Sequence, residues 1–175
     1  IAAVLIVLTL SHTHGRVTTV SLLLAGIAVS SLLTALTSGL MVIDRENLEN
    51  VYMWTMGSFT SSSWDKLKIA APVILMGVLG IIAFARDLNA LLMGESDARQ
   101  FGVNVRRVRL ILLLLSTLVT ATAVSISGVI GFVGLMVPHA MRMFCGPDHR
   151  GLLPLSALAG GLYLLIMDTL ARTVL

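Results

Sequence analysis

The sequence predicts an all-α fold, a polytopic bundle of helices that cross a membrane. Two properties of its composition point to this class, because 57% of the residues are hydrophobic and only 12% are charged. An average globular domain is about 25% charged. The third observation is the length of the apolar runs. A helix needs about 20 largely apolar residues to cross a bilayer, and Val17–Ile43 contains no charged residue at all.

Six apolar segments, whole or partial, follow one another along the chain. They are Ile1–Leu10, Val17–Ile43, Ile69–Ala85, Leu110–Val124, Ser127–Phe144 and Leu152–Val174. The third is short, and Pro72 interrupts it near its start. Both ends of the chain fall in or beside apolar runs. We therefore expect residues 1–175 to form one transmembrane domain that is a fragment of a longer chain.

The first long polar link, 44–68, is predicted to lie outside the cell. Tyr52 and Trp54 suit the headgroup level of a bilayer, which favours a short interfacial helix there. Gly57 and the serines that follow it are expected to end that helix.

The second long polar link, 86–109, contains a short helix near 95–102. Ser96 is the predicted N-cap, acidic residues occupy the first turn, and Gly102 is the predicted residue beyond the C-cap. We therefore expect a small, capped and solvent-facing helix in this link.

The positions of the cations predict the orientation. If successive spans alternate, the links 11–16, 86–109 and 142–150 share one side, and eight of the twelve cations lie on it. These are Arg16, Arg86, Arg99, Arg106, Arg107, Arg109, Arg142 and Arg150. Loops rich in arginine and lysine stay in the cytoplasm, so this side is predicted to be cytoplasmic.

Small residues recur at helical spacing in two places. Ser31, Ala35 and Gly39 form one stripe of the longest apolar segment, and small residues let helix backbones approach closely in lipid. That helix is expected to be buried in the bundle or to face a pathway. Three glycines, Gly128, Gly131 and Gly134, recur every third residue. They indicate either close helix packing or a helix start that lines a pathway, and both can hold together.

Several function classes have little support. No GxxxxGK[ST] motif is present to hold ATP phosphates, and the two lysines belong to no basic-aromatic patch for nucleic acid. The single Cys145 excludes an internal disulfide. The four histidines, which are His12, His14, His139 and His149, have no carboxylate or cysteine partners at metal-ligand spacing. We expect no metal site and no catalytic residue.

Asp168 is the one acid well inside an apolar run. An intramembrane ionisable group is a functional candidate by default, but Arg172 lies one helical turn away, so a local ion pair is favoured. The alternative function is a secondary carrier or an intramembrane enzyme that uses Asp168 and the histidines.

Several sequence blocks together carry a resemblance. They are WTMGS at 54–58, LMGESDARQFGV at 92–103, SGVIGFVGLMVPH at 127–139, GPDHR at 146–150 with LP at 153–154, and DTLAR at 168–172. Their order and spacing resemble the FecCD-type permeases, the membrane subunits of ABC importers for iron-siderophores, haem and cobalamin. The resemblance covers nearly the whole chain. It implies a type II importer permease of ten helices, of which this chain supplies about six.

The resemblance also implies roles, partners and a location. It implies an ATPase-coupling helix with Gly94, Glu95, Ser96, Ala98, Arg99 and Gly102, and a translocation path lined by Ser31, Ala35, Gly39, Gly128, Gly131 and Gly134. The partners implied are a second permease subunit in a homodimer or close heterodimer, two ATP-binding subunits that carry ATP and Mg, and an extracytoplasmic substrate-binding protein. The chain itself would bind no cofactor and would span the bacterial inner membrane several times.

Overall fold

A computed structural model of the chain describes residues 2–10, 19–43, 48–59 and 63–174. The described residues form helices and connecting segments with no strand, which confirms the all-α prediction. They divide into two compact units, the first ending at Met56 and the second beginning at Gly57.

The described residues of the first unit form three helices. These are α1 (Ala2–Leu10), α2 (Thr19–Ile43) and α3 (Leu48–Met56). Helix α2 contacts both of the others. It is uncharged throughout, and every residue from 31 to 40 is exposed in the described chain. The short helix predicted around Tyr52 and Trp54 is α3, which ends directly before Gly57, a residue with a φ of 71°.

The second unit contains six helices among its described residues. These are α4 (Trp64–Ala83), α5 (Ala85–Leu92), α6 (Glu95–Gln100), α7 (Val105–Ser127), α8 (Val133–Cys145) and α9 (His149–Val174). By length and composition, four helices of the described chain could cross a membrane: α2 from Val20 onward, α4, α7 and α9.

Helices α4 and α7 pack against each other in antiparallel orientation. Gly77 faces Val119 and Gly80 faces Leu115, so positions rise along one helix as they fall along the other. Glycines on this face of α4 let the two backbones approach, as expected for helices that pack in lipid. Ala70 and Gly77 are the buried residues of α4.

Helix α8 packs against α9. Val137 is buried in α8, and its side chain lies close to the Cα of Gly160, where an added methyl group would come within 3.9 Å of it. The N-terminal turn of α9 is anchored by Leu152, which is only 4% exposed.

Two polar contacts mark the two ends of the second unit. At one end, the Asn89 amide donates to the Asp148 carboxylate, so the Arg-rich links 86–109 and 142–150 lie together. We call this the Arg-rich end of the second unit. At the other end, the Ser58 N–H donates to the Ser127 carbonyl at 2.8 Å. The link 11–16, predicted to share the first end, lies outside the described residues, as do 44–47 and 60–62 of the predicted external link.

Several predicted boundaries were wrong. Helix α4 begins at Trp64 and not at Ile69, and it continues through Pro72. Helix α7 begins at Val105 and not at Leu110. In both cases the apolar run shows only the part of the helix that suits lipid. The helix itself begins earlier, among polar residues that water can solvate and that follow an N-cap residue.

The largest boundary error concerns the predicted segment Ser127–Phe144. Helix α8 starts only at Val133, after the non-helical residues 128–132. Its 13 residues rise about 20 Å, which is less than the roughly 30 Å of a bilayer core. Helix α8 is therefore not a full span by itself.

Candidate functional site

The short helix α6 has a glycine at each end. Gly94 is the N-cap with a φ of 119°, and no side chain caps the helix there. The prediction of Ser96 as N-cap was wrong, because Ser96 lies inside the helix and its hydroxyl donates to Asp97 at 3.3 Å. A backbone with φ above 100° requires glycine. No motif in the sequence around Gly94 indicates that the backbone adopts this conformation.

The C-terminal end of α6 forms a Schellman motif. Gly102 has a φ of 81°. Its N–H donates to the Arg99 carbonyl, and the Val103 N–H donates to the Ala98 carbonyl, both at 3.0 Å. These are the two hydrogen bonds that define the motif. The predicted place of Gly102 beyond the C-cap is confirmed.

One buried side chain and one ion pair hold α6 on the second unit. Ala98 is fully buried, at 0% exposure. Glu95 lies 2.6 Å from the Arg109 guanidinium on α7 and 3.7 Å from Arg99 on its own helix. The remaining side chains of α6 point to solvent; these are Ser96, Asp97, Arg99 and Gln100. Helix α6 is thus a fixed, exposed polar feature at the Arg-rich end.

The start of α7, which follows α6, is capped in the usual way. The Asn104 carboxamide oxygen accepts a hydrogen bond from the Arg107 N–H at 3.1 Å, as an N-cap asparagine does. Val105 and Val108 are buried beside it. The segment 94–105 therefore consists of one short helix between two ordered turns.

A three-residue polar cluster joins α5 to the start of α9. Asn89 Nδ2 donates to Asp148 Oδ1 at 2.6 Å, and Asn89 Oδ1 accepts from the His149 backbone N–H at 2.8 Å. The Nδ1 of His149 lies 2.9 Å from the same oxygen. Asp148 Oδ1 also accepts the Arg150 N–H at 3.0 Å, so Asp148 caps the first turn of α9.

These hydrogen bonds hold the pKa of the Asp148 carboxyl below its ordinary value of 3.8. The largest cause is the backbone hydrogen bond from Arg150, and the Asn89 amide is the next. Donors that bind the ionised form favour it over the protonated form. Asp148 therefore stays a carboxylate throughout the physiological range.

The break between α7 and α8 lies at the opposite end of the second unit. Gly128 has a φ of 69° and is buried. Gly57 approaches the same place so closely that an added methyl group would lie 2.7 Å from the Val129 carbonyl oxygen. Residues 57–58 and 127–129, which belong to two of the blocks singled out in the sequence, are thus in direct contact.

Phe132 adopts a strained backbone at the start of α8. Its φ is 65° and its ψ is −31°. The residues on either side are joined by a hydrogen bond, in which the Val133 N–H donates to the Gly131 carbonyl at 2.8 Å. This is a γ-turn with positive φ, a rare conformation. Its side chain is 86% exposed in the described chain.

The residues predicted to line a path have open surroundings in the described chain. An added methyl group at Gly131, Gly134 or Gly39 would meet no atom within 4 Å. Ser31 and Ala35 are exposed on α2 in the first unit. Gly128 is the exception among the predicted path residues, because it is buried.

Among the described residues, Asp168, His139 and His149 are not assembled into one site. The Arg172 Nε donates to Asp168 Oδ2 at 2.8 Å, one turn along α9. His139 is exposed on α8, and His149 belongs to the Asn89 cluster. His12 and His14 lie outside the described residues. No group of three or more potential metal ligands occurs within the described ranges.

Sequence reasoning missed the contacts that join distant segments. Asn89 carries no motif, and its partners lie about 60 positions away in sequence. The strained Phe132 lies inside a recognised block, but an aromatic residue gives no sign of a positive φ. Only the GPDHR block gave a signal, since aspartate before a helical run suggests an N-cap.

Comparisons with known proteins agree with this architecture. The cobalamin import system permease protein BtuC of Halobacterium salinarum is 48% identical over 159 residues, which are 91% of this chain and 43% of that protein. The hemin transport system permease protein HmuU of Yersinia pestis is 47% identical over 172 residues, 97% of this chain and 51% of that protein. The chain thus spans about half the length of the curated relatives it matches.

A solved structure of a metal-chelate type ABC transporter, in an inward-facing conformation, superposes with a TM-score of 0.90. The solved chain is 34% identical to this one, and the match covers 98% of this chain and 55% of the solved chain. The model of the FecCD transport family matches residues 1–175. The chain, with several helices able to cross a membrane, therefore belongs to the FecCD transport family of multi-pass membrane permeases.

Proposed function

We propose that this chain is part of the permease of an ATP-driven importer for iron-siderophore, haem or cobalamin-like metal chelates. The observation that carries the proposal is the family match over the whole chain, together with an exposed α6 that has a glycine at each end and lies at the Arg-rich end of the second unit. The relatives named for cobalamin and hemin indicate the substrate class.

In this proposal α6 is the element that docks on the ATPase. Its turns at Gly94 and Gly102 set its direction, Ala98 anchors it, and the exposed side chains, among them Ser96 and Arg99, face the partner. Glu95 holds the helix on α7 through Arg109. A short helix fixed at both ends can transmit a push from a partner, because it moves as one body with the spans attached to it.

The partners follow from the family and not from contacts of this chain. We propose two ATP-binding subunits, which carry ATP and Mg, a second permease subunit and an extracytoplasmic binding protein. Arginine-rich links remain cytoplasmic, so the end with α6 and Asp148 faces the ATPases. No catalytic role is assigned to a residue of this chain.

The translocation path is proposed along the open small-residue surfaces. In the first unit these residues are Ser31, Ala35 and Gly39 on α2. In the second unit they are Gly128 and Gly131 before α8 and Gly134 in its first turn. Small side chains and a non-helical backbone at membrane depth are tolerated where they line a cavity. Alternating access requires that the chelate bind the outward and inward states with different affinities.

The experiment replaces Gly102 in the complete importer, reconstituted in vesicles with its ATPase and binding protein. Gly102→Pro fixes φ near −65° and removes the N–H that now donates to the Arg99 carbonyl. We expect substrate-stimulated ATP hydrolysis and uptake to fall to the background. Gly102→Asn is the matched control, because asparagine is the next most tolerant residue at this position. Normal stimulation in Gly102→Pro would overturn the assignment of α6.

A further inference from the structure

The connection between α5 and α9 is polar, specific and separate from the helix proposed to dock on the ATPase. Asn89 is half-buried on α5, and its amide contacts Asp148 and His149 at the start of α9 at 2.6 to 2.9 Å. Three hydrogen-bond contacts on one side chain restrict it far more than apolar packing does, because hydrogen bonds require both distance and direction.

The chemistry of the cluster fixes the orientation of each group. Asn89 must direct its NH₂ to the Asp148 carboxylate and its oxygen to the His149 backbone N–H. The reverse orientation would bring an oxygen against a carboxylate and an NH₂ against an N–H. Since the amide oxygen only accepts, His149 must carry its proton on Nδ1 to bond to it. The cluster therefore has one arrangement that satisfies all of its members.

The position of Asn89 in the chain gives this cluster a mechanical consequence. Helix α5 ends at Leu92 and α6 begins at Glu95, so only Met93 and Gly94 separate them. Ala85 at the start of α5 is buried, and so is Leu152 in the first turn of α9. Helix α6 is thus joined to α5 by two residues of backbone, and α5 is joined to α9 through Asn89.

We propose that Asn89 is a positioning residue that couples movement of the α5–α6 segment to α9 through Asp148 and the His149 backbone. The inference rests on the proposed function, because it concerns how a push on α6 becomes a movement of a span. Coupling between sites needs a physically connected set of contacts with defined arrangements. The Asn89 cluster supplies that connection at the Arg-rich end.

The test exchanges the chemistry of the cluster in the complete importer with its ATPase and binding protein. Asn89→Asp places a second carboxylate beside Asp148, and the two repel. Adding Asp148→Asn removes this repulsion but restores only part of the cluster, because the Asp148 oxygen that faces Asn89 also accepts the Arg150 N–H. The readout is the number of solute molecules taken up per ATP hydrolysed, with cobalamin and hemin each tried as the solute.

We expect this ratio to fall about fivefold or more in Asn89→Asp, a change of the size usual for coupled sites. It should recover part of this loss in the double variant, because the repulsion between the two carboxylates is gone. A loss of folded protein lowers uptake and hydrolysis together, so a purely structural effect leaves the ratio unchanged. Asn104→Asp is the matched control, because aspartate also accepts the Arg107 N–H at the N-cap of α7.

The possible outcomes separate this inference from the proposed function. If the wild-type importer takes up neither solute in response to ATP, the proposed function fails. If it does and Asn89→Asp keeps a normal ratio, the inference is overturned. It is also overturned if the double variant is as impaired as the single one. Asn89→Ala removes the hydrogen bonds without adding a charge; a normal ratio in that variant would contradict the inference even if Asn89→Asp does not fold.

Discussion

Arg109 Nη2 lies 2.6 Å from Glu95 Oε1, and this contact joins the first residue of α6 to the first turns of α7. The two side chains are 39% and 51% exposed. An ion pair with this much solvent access contributes little to global stability. Its effect is therefore expected on the position of α6 and not on the folding of the protein.

Glu95→Gln tests that distinction. We expect the free energy of unfolding to change by less than about 1 kcal/mol. Stimulation of the ATPase should nevertheless fall, because α6 loses its charged contact with α7. The measurements are the thermal midpoint and the stimulated ATPase rate of the complete importer. Exchanging the charges, with Glu95→Arg and Arg109→Glu together, should recover part of the stimulation.

The control for this prediction is another exposed ion pair of the second unit. Lys68 lies 3.5 Å from Asp65 in the first turns of α4, and both side chains are largely exposed. Lys68→Gln should change neither the thermal midpoint nor the stimulation. Equal losses in Glu95→Gln and Lys68→Gln would show that removal of any surface charge has the same effect.

Close packing of α4 against α7 predicts a strong response at Gly77. An added methyl group there would overlap the Cγ2 of Val119, whereas at Gly80 it would meet the end of the flexible Leu115 side chain at 3.1 Å. Valine is stiff at χ1 in a helix and cannot turn aside easily. Gly77→Ala should therefore destabilise the protein by about 1–3 kcal/mol, and Gly80→Ala by less. The measurement is the thermal midpoint of the purified permease.

The partner variant Val119→Ala makes the Gly77 prediction specific. It removes the methyl group that a Cβ at position 77 would overlap. Combined with Gly77→Ala, it should restore most of the lost stability, so the two effects should be strongly non-additive. Additive losses would mean that the two helices do not meet at this pair.

The sequence was most informative where composition alone determines structure. Helices α2 and α9 could be predicted from long apolar runs, because whether a segment suits lipid depends on its own residues and not on the helices beside it. Gly102 could be placed because a glycine after a short helix is a local signal. The start of α4 could not, since Lys66 and Lys68 are helical but polar and lie beyond the apolar run.

Contacts that depend on tertiary structure were beyond sequence reasoning. Asn89 reads as an ordinary polar residue until α9 is placed beside α5. Helix α8 starts late because of the turn at Phe132. The positive φ of that turn is not a conformation that an aromatic residue favours by itself. The coupling residues were proposed from the family resemblance, and their partner Arg109 emerged only from the packing of α6 on α7.

The strained turn at Phe132 predicts an unusual response to glycine. A residue held at an unfavourable φ and ψ costs about 1–3 kcal/mol, and glycine removes that cost while adding about 0.5–1 kcal/mol of chain entropy. Phe132→Gly should therefore leave the thermal midpoint unchanged or raise it. Phe144→Gly is the matched control, because Phe144 is 82% exposed but helical within the last turn of α8, and glycine there should cost up to about 1 kcal/mol, the value for a helix interior. Equal losses in both variants would contradict a strained turn.

The hydrogen bonds to Asp148 predict how stability depends on pH. The Arg150 N–H and the Asn89 amide hold the folded-state pKa below the ordinary value of 3.8, so the unfolded chain binds a proton at a higher pH than the folded chain does. The stabilisation is therefore fully present above that value and is lost as the pH falls through the lower folded-state pKa. The thermal midpoint of the wild type should exceed that of Asp148→Asn at about pH 7, and the difference should shrink towards about pH 3 because asparagine does not titrate.

Asn89→Ala removes one of the two donors and should weaken the pH dependence. A difference between wild type and Asp148→Asn that stays constant across this range would show that the carboxylate is not stabilised by these bonds.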